Sequence, residues 1–295
     1  MKPRAIFLLV LVAIALAAIS WEMGQVAYTW LPPQASAESQ LIDQLFSVLV
    51  AIGTFIFLGV FLALTYSVLF YLAGRYDYSD GPAIEGNLTL EIIWTAIPFV
   101  LAMAIAGYSY YIYDRMSILG PMEHQHGANM AQSADPKAIE VIARQWVWEF
   151  HYPEAGVTST ELHLPSHQRA KLVLKSEDVL HGFFVPAFRI KQDIIPNRAI
   201  DFEFTPIQEG RYRLRDSQYS GTYFATMQTD VIVESPESYR QWLENAAKQT
   251  PTPAYNQAFE EYSQTSPTAI HTAWKTVVPA NPPLVNDSPS PENQS

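Results

Sequence analysis

Three long runs in which polar residues nearly vanish open the chain. The first extends from about Ala5 to Trp21 and carries no charge between Arg4 and Glu22. The second has none between Asp43 and Arg75, the third none between Glu91 and Asp114. A helix rising about 1.5 Å per residue crosses a roughly 30 Å hydrocarbon layer in about 20 residues. The second run is therefore over-long and is expected to tilt or protrude. The third ends in Tyr108-Ser109-Tyr110-Tyr111-Ile112-Tyr113, the aromatic composition of a helix leaving a bilayer. The first run follows Met1-Lys2-Pro3-Arg4 and has borderline length. It reads equally as a signal peptide cut near Ala18 or Ser20 and as a retained first helix. A buried soluble hairpin is the weaker reading of the other two, because soluble helices seldom stay apolar on every face for so long.

The polar loop Gly74–Leu90 holds only Arg75 as a basic residue, so orientation rests on the basic N-terminus. Kept inside, it sends the C-terminal half outside. Gly120–Ser133 reads as a linker, and beyond it the period falls to two. In Arg144–Tyr152 the aromatics Trp146, Trp148, Phe150 and Tyr152 alternate, which predicts a strand with one aromatic face. Further strands are expected at Glu161–Leu164, Ala170–Leu174, Ile200–Thr205, Gly210–Arg215 and Asp230–Glu234. Their spacing suggests an antiparallel sandwich of about 100 residues. Ser235-Pro236-Glu237 then carries the start signals of a helix, with a hydroxyl cap, a first-turn proline and an acid at the positive end of the dipole. From Thr250 onward Pro, Ser, Thr and Asn dominate and disorder is expected.

Composition narrows the chemistry. The formal net charge of −11 argues against nucleic acid as a partner. Cysteine is absent, which removes disulfides, thiolate metal ligands and thiol nucleophiles together. His124 and His126 form a weak His-x-His signal in the linker, and His163 and His167 flank a turn expected at Pro165.

Local sequences then carry a family resemblance over roughly residues 38 to 245. Leu90-Glu91-Ile92-Ile93-Trp94-Thr95-Ala96-Ile97-Pro98 resembles the start of the second membrane helix in subunit II of haem–copper oxidases. Gln145-Trp146-Val147-Trp148 resembles the aromatic strand of their cupredoxin domain. Glu161-Leu162-His163-Leu164-Pro165 also fits, and Asp178–Asp193 resembles the segment that supplies the first copper ligand. The resemblance implies a membrane-anchored α+β fold, in which a transmembrane helical hairpin, with or without an N-terminal signal or anchor helix, precedes a cupredoxin-like Greek-key β-sandwich. The domain map that follows is 1–37 leader or first helix, 38–116 hairpin, 117–137 linker, 138–236 external domain, 237–248 C-terminal helix and 249–295 disordered tail.

Against the family pattern Cys-x-Glu-x-Cys-Gly-x-x-His-x-x-Met, anchored on Gly221, Asp216 and Ser220 stand at the cysteine positions. Gln218 replaces the acid and Phe224 the second histidine, so only His181 and Met227 remain. Two bridging thiolates are essential to the binuclear centre, and no metal is expected here. A mononuclear site from His181, Met227 and Asp216 is conceivable, and simple packing of these side chains is the preferred reading. Tyr219-Ser220-Gly221-Thr222-Tyr223-Phe224 is similar to the stretch in bo-type ubiquinol oxidases, and the whole layout to the alternative respiratory terminal oxidases of cyanobacteria. A quinol oxidised within the membrane needs no external copper relay.

By resemblance, Glu91 sits at a proton-channel entrance, and Arg189, Lys191 and Asp193 face the catalytic subunit. Trp146 and Trp148 match aromatics near the electron entry point, although burial in a core explains them better here. The expected partners are subunits I and III, the membrane and a membrane quinol. No cofactor is expected in this chain, and haems and a copper are expected in the catalytic subunit. The location implied is a bacterial cytoplasmic membrane or a thylakoid, with the C-terminal domain on the periplasmic or lumenal side. Rival readings are an oxidase subunit whose complex takes electrons from cytochrome c or another soluble carrier directly at a haem, and a membrane-anchored cupredoxin-like copper-handling or scaffold protein.

Overall fold

The computed structural model describes residues 3–72, 76, 86–116, 138–250 and 256–264. The linker expected at 117–137, with His124 and His126, lies outside these residues. The chain divides into two compact units, Met1–Leu31 with Leu41–Arg115 and Pro32–Gln40 with Met116–Ser295.

The first unit holds three helices long and apolar enough to cross a membrane: α1 (Pro3–Ala27), α2 (Ala37–Tyr71) and α3 (Leu88–Met116). All three outrun the apolar stretches that predict them, because flanking polar residues supply further turns. α1 and α2 meet through small residues. A Cβ on Gly24 would lie 2.9 Å from the Ser47 carbonyl oxygen, and the Ser47 hydroxyl donates to the Gly24 carbonyl at 2.8 Å. Such a contact lets two backbones approach where lipid offers no hydrophobic drive. α3 starts at Asn87, whose side-chain oxygen accepts from the Leu90 amide at 3.2 Å.

The second unit is a two-layer β-sandwich. Among the described residues ten strands form two sheets: β1 (Ile139–Arg144), β2 (Val147–Tyr152), β3 (Val157–Ser159), β4 (Leu162–Pro165), β5 (Ala170–Ser176), β6 (His181–Val185), β7 (Ile190–Ile194), β8 (Ile200–Phe204), β9 (Gly210–Asp216) and β10 (Gln228–Glu234). One sheet runs β3-β2-β1-β5-β8, the other β4-β10-β9-β6-β7. The expectation of a purely antiparallel sandwich is corrected. β1 pairs in parallel with β5, Val141 opposite Leu174, and β10 with β4, Val231 opposite Leu162. Period-two patterning marks a buried face and carries no information on strand direction.

Alternate residues from both sheets meet in the middle. Phe183 of β6 packs edge-on against Trp148 of β2 at 6.0 Å and against Phe202 of β8 at 5.8 Å. Burying each such ring contributes roughly 1.5–3 kcal/mol. The segment ahead of α2 completes the sandwich. Ala35 donates to the Ala187 carbonyl, Ile207 to that of Ala35 and Ala37 to that of Thr205, at 2.9–3.1 Å. Buried Glu38 accepts from the Thr205 amide and from Arg169 at 3.0 Å.

After β10, the Ser235 hydroxyl accepts the Ser238 amide and opens α4 (Pro236–Ala246), as its start signals predict. The tail expected to be disordered from 249 contains a further helix, α5 (Gln257–Gln264). Its composition is polar, so propensity alone does not show it. Docking onto the sandwich stabilises it, as detailed below.

Candidate functional site

The degenerate positions converge on one place, the loop joining β9 to β10. Its base closes where the Asp216 amide donates to the Met227 carbonyl at 3.0 Å. At that base His181, the first residue of β6, is fully buried between two carboxylates. Its Nδ1 lies 2.7 Å from Asp216 Oδ2 and its Nε2 2.9 Å from Asp178 Oδ1.

Backbone amides occupy the carboxylates as well. Asp216 Oδ1 accepts from Gly182 at 2.8 Å and Gln218 at 3.0 Å, while Asp178 accepts from Gln145 at 2.7 Å and Val179 at 2.6 Å. Carboxylates that already accept two N–H groups are stabilised as anions, so both ring nitrogens are placed to donate. Burial pushes the His181 pKa down, but hydrogen bonds to Asp216 and Asp178, with their charges, outweigh it and hold the pKa above its usual value. The site is an imidazolium clamp joining β6, the β9–β10 loop and the turn after β5.

Gly182 makes the clamp sterically feasible. A Cβ there would stand 2.2 Å from Ser217 Oγ and 3.2 Å from the Gln218 nitrogen. Met227 is fully buried in the core, and its carbonyl accepts from Trp148 Nε1 at 3.3 Å. The Ser220 carbonyl accepts from Trp146 Nε1 at 3.0 Å and Gln145 Nε2 at 2.6 Å. Phe224 packs on exposed Tyr219 with ring centroids 5.2 Å apart. Gly221 holds a φ of +108°, where a side chain is strained.

Trp146 requires a correction. It lies in the turn between β1 and β2, since β1 ends at Arg144 and β2 begins at Val147. The four alternating aromatics nevertheless all point inward and are buried, and the turn lets Trp146 join them.

Arg189, Lys191 and Asp193 are not gathered into a site. Arg189, with a φ of +58°, donates to the carbonyls of Pro186 and Pro32. Lys191 and Asp193 pair with each other at 3.6 Å on the exposed side of β7. Glu91 belongs to the first unit, in the first turn of α3, where its carboxylate lies against Gly86.

Sequence reasoning left His163 unassigned. It is buried in β4, stacked on Trp242 of α4 with centroids 3.8 Å apart and planes 7° from parallel. Burial, then the nearby Arg211 charge, lowers its pKa to about 3. Asp178 was also missed, although its spacing of three residues from His181 was a signal. Among the described residues no group of three or more His, Cys, Asp or Glu side chains is arranged to hold a metal ion.

Two family models match the chain: "Cytochrome C oxidase subunit II, transmembrane domain" over residues 18–112 and "Cytochrome C oxidase subunit II, periplasmic domain" over 155–235. Cytochrome c oxidase subunit 2 of Synechocystis sp. is 30% identical, covering 88% of this chain and 87% of that protein. The chain belongs to the cytochrome c oxidase subunit II family. It is a subunit II of a haem–copper respiratory terminal oxidase, an oxidoreductase complex. It is an integral membrane protein with its cupredoxin-like C-terminal domain on the outer side. Other relatives include cytochrome c oxidase subunit 2 of Thermostichus vulcanus, 32% identical over 72% of this chain and 77% of that protein. Quinol oxidase subunit 2 of Bacillus subtilis is 23% identical over 74% and 65%.

Proposed function

We propose that this subunit II serves a proton-translocating quinol:oxygen oxidoreductase and holds no copper of its own. The observation that carries this reading is the occupancy of His181. Both ring nitrogens face carboxylates, and neither is directed at a position where a metal could sit. The remaining donors do not fit a binuclear centre either. Asp216 and Ser220 stand where bridging thiolates are needed, and the sequence has no cysteine. A proton on His181 does the mechanical work of tying the loop to β6. Without an external relay, a donor dissolved in the membrane and oxidised in the catalytic subunit is the reading that needs no further part.

In this reading Glu91 supports a proton entry path into the catalytic subunit, because an acid at a membrane interface is costly unless used. Haems and a copper belong to subunit I, and the outer domain is held over that subunit with subunit III alongside. Arg189, Lys191 and Asp193 contribute to that surface. The membrane is a bacterial cytoplasmic membrane or a thylakoid.

One observation favours a second reading, in which a soluble carrier delivers electrons directly to a haem. The relatives at 30% and 32% identity bear the name cytochrome c oxidase, whereas the quinol oxidase relative stands at 23%. Oxygen consumption by the purified complex, with quinol against reduced cytochrome c, decides between the two. Turnover with quinol is expected. Turnover with cytochrome c alone, or two coppers per subunit II on metal analysis, overturns the proposal.

A further inference from the structure

Trp146 is almost fully buried, yet it sits at a hairpin turn, where side chains usually meet water. What covers it is distant in sequence. Tyr223 of the β9–β10 loop lies edge-on to one side of the indole, centroids 5.2 Å apart. Tyr262 of α5 lies edge-on as well, also at 5.2 Å. Asn256 tethers α5 to the turn, its Nδ2 donating to the Gln145 carbonyl at 3.0 Å while its Oδ1 accepts from the Phe259 amide at 3.1 Å. One side chain thus both anchors the helix and caps its first turn. Ala258 is buried against the same cluster.

An eight-residue helix does not hold its shape alone in water. The contacts with Trp146, Gln145 and the loop therefore order it. A contact of this kind opens at low cost, because few buried groups hold it. The short separation between α4 and α5 keeps the effective concentration of the cover high, on the order of millimolar. The covered surface is a tryptophan–tyrosine pair on the outer domain, of the kind proteins recognise by aromatic burial.

We propose that α5 is an intrachain cap which closes the Trp146–Tyr223 surface to a soluble electron-carrier protein. This deepens the functional reading above and rests on it for the nature of the excluded partner: an oxidase fed from the membrane has its aqueous face shut by its own tail.

The test uses the assembled oxidase in three forms: the full chain, a chain ended after Gln249, and the double variant Asn256→Ala/Tyr262→Ala. Amide hydrogen exchange in peptides covering 143–148 and 219–226 reports the cap, and oxidation of ferrocytochrome c and of quinol reports the donors. Exchange is expected to rise about tenfold or more in both altered forms. Ferrocytochrome c oxidation, negligible with the full chain, is expected to rise at least about fivefold, with quinol oxidation unchanged. Unchanged exchange overturns the cap. Raised exchange with an unchanged ferrocytochrome c rate overturns the exclusion. A full-length complex that oxidises no quinol refutes the functional reading instead, and the exchange comparison still decides the cap.

Discussion

Replacing His181 with leucine removes the proton-bearing centre of the clamp and leaves its two carboxylates facing each other. The Asp216 side chain is fully buried, while that of Asp178 is 30% exposed and can rehydrate. Breaking a buried ion pair costs about 3–5 kcal/mol. With one of the two acids partly solvated, the low end applies, about 3 kcal/mol. For a sandwich of about 100 residues, each kcal/mol moves the midpoint by about 4–8 °C. His181→Leu should therefore lower thermal unfolding of the outer domain by at least about 10 °C near pH 7, read from tryptophan fluorescence of the full chain in detergent. The pH profile tests the charge specifically. The folded-state pKa of His181 lies above the unfolded value of about 6.5, so its contribution is complete below that pH and is lost as pH rises through the raised value. Wild type should lose midpoint on the alkaline side, and the variant should show a flatter limb. Adding Asp216→Asn to His181→Leu removes the orphaned charge and should recover part of the loss. A single variant melting within about 4 °C of wild type, or an identical alkaline limb, would refute the clamp.

His163 acts in the opposite direction. Its pKa falls from 6.5 to about 3, so the stability it confers is complete above pH 6.5 and drains away as pH drops toward 3. His163→Phe keeps the ring stacked on Trp242 and should flatten the acid limb, leaving the variant ahead of wild type by about 3 kcal/mol near pH 4 in acid unfolding. Gly182→Ala should destabilise the domain by about 2–3 kcal/mol in urea unfolding, because the new methyl meets Ser217 Oγ and the backbone nitrogen of Gln218. Glu91→Gln should slow proton-coupled oxygen consumption about tenfold or more while the complex still co-purifies. Unchanged turnover removes the proton-entry role.

The membrane helices were legible because an uncharged run of more than 20 residues admits few alternatives, and only their ends moved. The strands whose faces alternate strictly, such as β5 and β9, were also legible. β1, β6 and β7 were not separated from their surroundings. Ile139–Arg144 alternates hydrophobic with charged residues over only six positions, and His181–Val185 is apolar on both faces because both are covered. Pairing direction and the turn at Trp146 depend on partners far along the chain, which local patterning does not encode. At the site, the replaced positions were visible one by one. That Asp178 and Asp216 would grip His181 from both sides required two segments 35 residues apart to meet, and only the fold supplies that meeting. α5 escaped notice for the same reason, since its stabilising contacts lie more than 100 residues upstream.

The β-sandwich is finished by a strap that ribosomes deliver long before the rest of it. Residues 35–38 bond to the backbone around Ala187, Thr205 and Ile207, yet the two longest lipid-spanning helices and ten strands' worth of chain are translated in the interval. The outer domain is consequently a two-piece object. Its early piece waits without partners until the late piece has crossed the bilayer and collapsed around it. A secreted fragment beginning at Ala138 would lack that piece, with three main-chain hydrogen bonds and the Glu38–Arg169 pair missing. Restoring a peptide spanning 32–40 in trans should bring back its cooperative melting.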